Sequence, residues 1–212
     1  MLVVVGGHSR NIGKTSVVCG VIRRLPEFRW TAIKITQYGH GVCSHEGEPC
    51  ECADPRHPVA MSEEHGDHPT TDSGRFLAAG AERAFWLRTP AGGLGEALPR
   101  LRRLLDGTGN AIVESNSLLR FLRPDLCLMV MDGAVDDFKP TSRLFLDRAD
   151  ALVVTSKAPL VWDGLPESLF RKKPRFEALA PGYESDALIE WIGSSARNPY
   201  CAGLSPATYL PI

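Results

Sequence analysis

The chain has 212 residues, of which 43% are hydrophobic and 23% charged, and its formal net charge is −1. A chain of this size and composition can bury an α/β core without help from disulfides. The balanced charge excludes a global electrostatic attraction to nucleic acid or to an anionic membrane. No apolar run reaches the length of a membrane-spanning helix, and the amino terminus reads as a core strand, so we expect a cytoplasmic protein without a signal peptide.

Apolar runs and helical periodicity alternate along the chain, which predicts a doubly wound α/β fold with a mostly parallel sheet. Strands are predicted at residues 2–5, 30–36, 83–87, 111–114, 126–130 and 151–155. Helices are predicted at residues 15–25, 73–80, 184–194 and around Leu94, Leu98, Leu101 and Leu105, despite Pro99. Residues 37–71 lack periodicity and are predicted to be an insert, and residues 199–212 an irregular tail. Because composition does not shift along the chain, residues 1–212 are predicted to form one domain.

The segment between the first predicted strand and the first predicted helix has the features of a phosphate-binding loop. Its residues are Gly7, His8, Ser9, Arg10, Asn11, Ile12, Gly13, Lys14, Thr15 and Ser16. Such a loop presents backbone N–H groups and the positive end of a helix dipole to an anion. We expect Lys14 to reach the β- and γ-phosphates of ATP or GTP and Thr15 to offer its hydroxyl to Mg²⁺. Arg10 either adds charge at the γ-phosphate, in its own subunit or across a dimer interface, or points to water.

The glycine spacing of this loop differs from the common P-loop, because Gly7 lies one position early and His8 stands where a glycine is usual. The pattern Gly-x-Ser-x-x-Ile-Gly-Lys-Thr resembles the loop of dethiobiotin synthetases and cobyrinate amidotransferases. That resemblance implies a P-loop protein of the same branch. It also raises one possible function, which is ATP-dependent phosphoryl transfer to a small carboxylate or amine.

Two charged residues on predicted strands also suit nucleotide chemistry. Glu114 ends a buried strand, where P-loop proteins place the acid that orients Mg²⁺ or its water. Lys34 is a cation within an apolar strand, so it needs a partner or an anion unless that strand lies at an edge with Lys34 in water. We therefore predict catalytic roles for Lys14, Lys34 and Glu114.

The segment at residues 70–81 narrows the resemblance. It is similar to the Asp-Ser/Thr-x-Arg-x-x-x-Ala-Gly-Ala stretch of the molybdopterin-guanine dinucleotide biosynthesis accessory protein B family, with Asp72 and Arg75 on its polar positions. That family shares the strand lysine and the strand-end glutamate, and it belongs to the SIMIBI group of P-loop NTPases. The resemblance covers residues 2–36, 70–88 and 110–156. It implies that Thr15, Asp72 and Glu114 hold Mg²⁺, and that the chain is an NTPase accessory factor in cofactor or metal-centre assembly, as in molybdenum cofactor biosynthesis.

The expected base-recognition element is altered. Guanine-specific members of the group end a late strand with Asn-Lys-x-Asp, whose carboxylate accepts hydrogen bonds from guanine. In the corresponding residues 154–159, Lys157 remains and its alkyl stem can cover a base, but Pro159 replaces the aspartate. A site without that acceptor discriminates poorly. ATP and GTP therefore both remain candidates, with ATP slightly favoured.

The predicted insert contains a cluster of metal-ligand residues. Cys43, His45, Cys50 and Cys52 lie within ten residues, which in a cytosolic protein indicates metal or redox chemistry more than disulfides. Three thiolates and one imidazole suit tetrahedral zinc, while three cysteines could hold an iron–sulfur cluster, alone or across a dimer axis. We predict Zn²⁺ or an iron–sulfur cluster here, and a homodimer that acts with an assembly partner. The alternatives are an insert with incidental ligand residues and a non-hydrolysing nucleotide or metal sensor.

A last polar group follows the predicted strand at residues 126–130. Asp132, Asp136, Asp137 and Lys139 lie on the side of the sheet where ligands bind in doubly wound folds. The sequence leaves two interpretations open, a second-substrate pocket or a hydrophilic turn.

Overall fold

A computed structural model of the chain describes residues 1–38, 59–66 and 69–196. The strands in these ranges are β1 Leu2–Gly7, β2 Thr31–Tyr38, β3 Ala60–Glu63, β4 Arg83–Pro90, β5 Ala111–Glu114, β6 Leu126–Met131, β7 Ala151–Val154 and β8 Arg175–Glu177. The α-helices are α1 Lys14–Arg24, α2 Asp72–Ala78, α3 Leu94–Asp106, α4 Pro140–Phe145, α5 Ser168–Arg171 and α6 Asp186–Ala196.

The eight strands form one sheet in the order β3-β4-β2-β5-β1-β6-β7-β8. Every neighbouring pair is parallel except β3 and β4, which are antiparallel. Within the sheet, β2 to β5 lie to one side of β1, and β6 to β8 lie to its other side. The direction in which strands are added therefore reverses after β5. Ligands bind at the carboxyl ends of strands at such a change of direction. The predicted mostly parallel α/β sheet is therefore confirmed.

Both faces of the sheet are covered, because alternate residues of the central strands point to opposite sides. Val3 and Val5 of β1 pack in the cluster that contains the buried residues of α1, α2 and α6. Leu2 and Val4 pack instead with α3. A strand buried on both faces reads as a continuous apolar run, which is why β1 and β6 stand out in the sequence.

The segment predicted to be an insert at residues 37–71 contains regular structure, which corrects that prediction. β2 continues through Gln37 and Tyr38, and β3 adds a short antiparallel edge strand that pairs Ala60 with Arg88. Four residues at a sheet edge carry too little alternation to be recognised in a sequence. The predicted ligands Cys43, His45, Cys50 and Cys52 lie outside the described residues, as does the tail at residues 199–212.

The carboxyl-terminal half also contains short elements that the sequence analysis did not predict. These are α4, α5 and β8, none longer than six residues. Within the described ranges, no three His, Cys, Asp or Glu side chains come together as a metal site. No helix in the described part of the chain is long and apolar enough to span a membrane.

Candidate functional site

A cavity of about 680 Å³ opens at the carboxyl edge of the sheet. Its volume lies within the range of small-molecule and cofactor pockets. The loop between β1 and α1 lines one side, and the ends of β2 and β5 together with the start of α2 line another. The amino termini of α1 and α2 both meet this cavity, so two helix dipoles direct their positive ends toward it.

The start of the loop is fastened to the loop that follows β5. Asn116 accepts a hydrogen bond from the Gly7 N–H through Oδ1 at 2.8 Å and donates to the Gly7 carbonyl through Nδ2 at 2.9 Å. Ser142 Oγ donates to the same carbonyl at 2.7 Å. A side chain at Gly6 would bring its Cβ within 2.4 Å of Asn116 Oδ1. The glycine pair therefore allows Asn116 to lie directly against the backbone.

His8 is completely buried and does not line the cavity. Its Nε2 accepts a hydrogen bond from the Asp132 N–H at 3.1 Å, and its Nδ1 lies 2.9 Å from the Asp137 carbonyl oxygen. This pair of bonds requires a neutral ring with the proton on Nδ1. Burial lowers the pKa of His8, which agrees with that state. The His8 ring thus ties the loop to the segment after β6 instead of facing a ligand.

The end of the loop is held by contacts to two later segments. Thr155 Oγ1 donates to the Ile12 carbonyl at 3.0 Å. Gly13 has a φ of 89°, and a Cβ at this position would lie 2.4 Å from Cε1 of Tyr183. Glycine is therefore required here for two reasons, the left-handed backbone and the contact with the tyrosine ring. Tyr183 lines the cavity beside Gly13.

Lys14 extends from the first residue of α1 along the inside of the loop. Its ammonium donates to the Ser9 carbonyl at 2.6 Å. Burial lowers the pKa of Lys14; the nearby Glu114 carboxylate opposes this effect and Lys34 reinforces it. A partly buried ammonium that, among the described residues, bonds a backbone carbonyl alone is suited to exchange that contact for an anion in the cavity.

Thr15, Lys34, Asp72 and Glu114 come together on the other side of the cavity, and we call these four residues the carboxylate cluster. Thr15 Oγ1 donates to Glu114 Oε2 at 2.8 Å. The Lys34 ammonium lies 2.6 Å from Glu114 Oε1 and 2.6 Å from Asp72 Oδ2. The Glu114 side chain is 3% exposed and that of Lys34 17%. The strand register explains the main pair, because Lys34 of β2 lies directly beside Glu114 of β5.

The electrostatics of the cluster favour the charged forms of Lys34 and Asp72. Burial alone would lower the pKa of Lys34, but the carboxylates of Glu114 and Asp72 outweigh burial and raise it. Burial alone would raise the pKa of Asp72, and the Lys34 ammonium instead holds it below its ordinary value. The ammonium lies among the three residues predicted to hold Mg²⁺, at 3.4 Å from Thr15 Oγ1. A metal ion held by those three residues would therefore take the position of the Lys34 ammonium.

Arg75 connects the cluster to α1. Its Nη2 donates to Ser16 Oγ at 3.0 Å, and its Nη1 lies 3.7 Å from Asp72 Oδ1. Arg10 and Asn11 are exposed residues of the loop that line the cavity. Sequence reasoning named Arg75 without a role, and the structure places its guanidinium beside the start of the first helix.

The predicted base-recognition segment is only partly at the cavity. Lys157 is exposed and does not line it. The neighbouring Thr155 contacts the loop backbone, as described above, and Tyr183 reaches the cavity from the segment before α6. Sequence reasoning missed Asn116, Thr155 and Tyr183. The signal for Asn116 was its position just after a buried strand that ends at the ligand-binding edge.

Comparisons with known proteins give little further information. No family model and no curated protein sequence matches the chain. Among solved structures, it is similar to a crystal structure of the "apo" form of LpxK from Aquifex aeolicus in complex with ATP, with 20% sequence identity and a TM-score of 0.45. The match covers 83% of this chain and 53% of that one, so this chain spans about half the length of LpxK. Similarity at this level assigns no activity.

The local geometry defines the class of site more clearly. A buried strand leads to a backbone-anchored loop, and a lysine and a threonine begin the helix that follows. A carboxylate at the end of β5, the strand beside β1, accepts the threonine hydrogen bond. This combination fits the phosphate site of P-loop nucleotide-binding proteins.

Proposed function

We propose that the chain binds ATP or GTP with Mg²⁺ in this cavity and hydrolyses the nucleotide. The observation that carries the proposal is the convergence of Lys14, Thr15, Lys34, Asp72 and Glu114 in one cavity at the carboxyl edge of the sheet. These residues come from four separate elements, so their meeting is a result of the fold and not of local sequence. Lysines beside carboxylates and a hydroxyl are the groups that a magnesium triphosphate needs.

Each group has a role that its position supports. The loop amides and the α1 dipole would face the α- and β-phosphates, and Lys14 would leave the Ser9 carbonyl to bind the β- and γ-phosphates. Thr15 would donate its oxygen to Mg²⁺, with Glu114 and Asp72 beside the ion or its water ligands. Lys34, displaced from the carboxylates by the metal, would turn to the terminal phosphate.

Nucleotide titration by calorimetry tests the proposal. Lys14→Ala removes a point charge from the phosphates and little from the core, so we expect at least a hundredfold weaker binding of Mg·ATP and Mg·GTP with an unchanged thermal unfolding temperature. Lys172→Ala removes an exposed lysine at the end of α5 and serves as the matched control. Equal affinities in the wild type and Lys14→Ala would refute the phosphate-site assignment.

We further propose that the protein is an accessory NTPase in cofactor or metal-centre assembly. The resemblance of residues 70–81 supports this role, together with the cysteine and histidine residues that follow β2. Tyr38, the last residue of β2, lies at the carboxyl edge of the sheet, where the cavity opens. We propose that the cysteine and histidine residues hold zinc or an iron–sulfur cluster, and a nucleotide-dependent homodimer is the form of switch we expect.

The proposed metal site is tested by combining Cys50→Ser with Cys52→Ser. We expect loss of bound zinc or iron by elemental analysis, nucleotide affinity within a few-fold of the wild type, and loss of nucleotide-dependent dimerisation in sedimentation. The matched control is Cys127→Ser, which changes a buried cysteine of β6. An unchanged monomer–dimer response in the double variant would refute the switch.

A second candidate function is phosphoryl transfer to a small carboxylate or amine. The observation that favours it is the extent of the cavity, which continues past Lys34 to a wall of Thr36, Gln37, Trp86 and Ser117. Trp86 Nε1 donates to Thr36 Oγ1 at 3.0 Å and Ser117 Oγ to Gln37 Oε1 at 2.7 Å, so the wall is ordered by its own hydrogen bonds. Nucleotide turnover measured with and without added small carboxylates and amines separates the two functions.

A further inference from the structure

The segment between β6 and α4 packs against the phosphate-binding loop of residues 7–16. The Asp137 carbonyl bonds the His8 ring, and Asp137 Oδ2 accepts a hydrogen bond from Ser9 Oγ at 2.6 Å. The Lys139 N–H donates to the His8 carbonyl at 2.8 Å. These contacts fix the backbone of Lys139 against the loop. Of the polar group Asp132, Asp136, Asp137 and Lys139, Lys139 lines the cavity, and the three aspartates do not.

The Lys139 side chain lies at the cavity. It lines the cavity, and among the described residues its ammonium has no hydrogen bond or ion pair. Burial lowers the pKa of Lys139 to about 8, with further lowering by Lys14 and Arg10; Asp137 opposes this effect and Lys34 adds to it. A partly buried cation that faces three other cations is unfavourable unless an anion joins them.

The position of the ammonium indicates which part of the anion it meets. Lys139 lines the same cavity as Lys14 and Lys34, which approach it from α1 and from β2, and both of these cations lower its pKa. In a phosphate loop, the backbone amides surround the inner phosphates, while the lysine and the metal site flank the outer ones. A group that lies near both lysines is therefore at the outer end of the triphosphate.

We propose that Lys139 contacts the terminal phosphate and makes the site prefer a nucleoside triphosphate to a diphosphate. This inference rests on the proposed nucleotide site and assigns a specificity-determining residue within it. A diphosphate lacks the group that Lys139 would meet, so binding a diphosphate would leave the ammonium without a partner. Binding a triphosphate would pair it and raise its pKa.

The proposal predicts that triphosphate affinity depends on pH. Because the pKa of Lys139 in the free protein is about 8, the group loses its proton above that pH, and triphosphate binding must then take up a proton. Triphosphate affinity therefore falls above about pH 8, by up to about tenfold for each pH unit. Diphosphate affinity has no such dependence on this residue.

The test is calorimetric titration of the full chain with Mg·ATP, Mg·ADP, Mg·GTP and Mg·GDP at several pH values from 7 to 9.5. In Lys139→Gln, we expect triphosphate binding at pH 7 to weaken about tenfold, diphosphate binding to stay within about twofold, and the fall above pH 8 to disappear. Lys139→Arg keeps its charge over this range, so it should retain affinity and lose the pH dependence. Lys172→Gln is the matched control.

Two results overturn the proposal. One is an equal effect of Lys139→Gln on triphosphate and diphosphate binding, and the other is no effect on either. Circular dichroism of each variant shows whether the fold is kept, and Lys139→Arg provides the test if the glutamine variant does not fold. Failure of the nucleotide site itself is distinguishable, because the wild type would then bind none of the four nucleotides.

Discussion

The phosphate loop and the carboxylate cluster lie side by side in one cavity, but different interactions hold them. Neutral hydrogen bonds fasten the loop, from Asn116 and Ser142 at its start and from Thr155 at its end. The cluster depends on the ion pairs of Lys34 with Glu114 and Asp72. The hydrogen bonds of the loop go to its backbone atoms. The ion pairs of the carboxylate cluster use the same side chains that we propose as ligands.

This difference separates a fixed scaffold from an exchangeable set of charges. Buried backbone groups that are fully satisfied gain nothing from a ligand, so the loop should keep its shape whether the cavity is filled or empty. Lys34 balances one of the two negative charges of Glu114 and Asp72, and a divalent cation in place of its ammonium would balance both. Four predictions test this difference, two on the loop, one on the carboxylate cluster and one on the nucleotide base.

The largest effect is expected from breaking the scaffold. Asn116→Ala removes both hydrogen bonds to the Gly7 backbone and leaves its buried N–H without an acceptor, which should lower the free energy of unfolding by about 3 kcal/mol. Urea denaturation measures this loss. Asn11→Gly removes an amide from the exposed side of the same loop at a φ of 54°, which glycine adopts without strain, and should change stability by less than about 0.5 kcal/mol. Equal effects of the two variants would contradict the scaffold role.

The scaffold should also weaken in acid through His8. Because the folded-state pKa of His8 is lowered below its ordinary value by burial, the unfolded chain takes up the proton first as pH falls below about 6.5, and stability falls with it. The contribution of one such group cannot exceed about 1.4 kcal/mol per pH unit. His8→Gln should show a shallower loss of unfolding free energy between pH 7.5 and pH 5. Parallel curves for the two proteins would rule out this contribution.

The cluster is tested by removing its internal cation. Lys34→Gln leaves Glu114 and Asp72 without their ammonium, so the variant should bind Mn²⁺ in the absence of nucleotide at least tenfold more tightly than the wild type, or about 1.4 kcal/mol. Electron paramagnetic resonance of free Mn²⁺ measures the difference. Lys172→Gln, remote from the cavity, should behave as the wild type. Weak Mn²⁺ binding by both variants would show that Lys34 does not occupy the metal position.

The smallest effect concerns the base. Pro159 offers no acceptor for guanine, and Lys157 is exposed outside the cavity, so the affinities for Mg·ATP and Mg·GTP should agree within about tenfold. Competition titrations with both nucleotides measure the ratio. A preference for GTP of a thousandfold would mean that another residue selects the base.

The sequence was sufficient to predict the central strands and the loop, because both are local patterns. A continuous apolar run identifies β1, and Gly13, Lys14 and Thr15 follow it at once. The proximity of Lys34, Asp72 and Glu114 was expected only through a resemblance, since it depends on which strands are neighbours. The β2 to β5 pairing that brings two of them together joins residues 80 positions apart, and no local periodicity encodes it.

The supporting residues were not predictable for a related reason. Three polar residues support the loop by donating hydrogen bonds to its Gly7 and Ile12 carbonyls, and they are Asn116, Ser142 and Thr155. Nothing in the sequence around them distinguishes them from other polar residues. His8 was expected at the ligand because it interrupts a glycine motif, and the fold instead buries its ring. β3 and β8 are too short for alternation to distinguish them from loop.

The antiparallel edge strand brings the end of β2 and the start of β3 close together at the carboxyl edge of the sheet. β2 ends at Tyr38 beside Pro90, and β3 starts at Ala60 beside Arg88, so the chain departs and re-enters at the same edge of the sheet with only β4 between. Two strand spacings separate the two points laterally by about 10 Å, which about five residues can span. A linker of a few residues would therefore be long enough to connect the end of β2 to the start of β3.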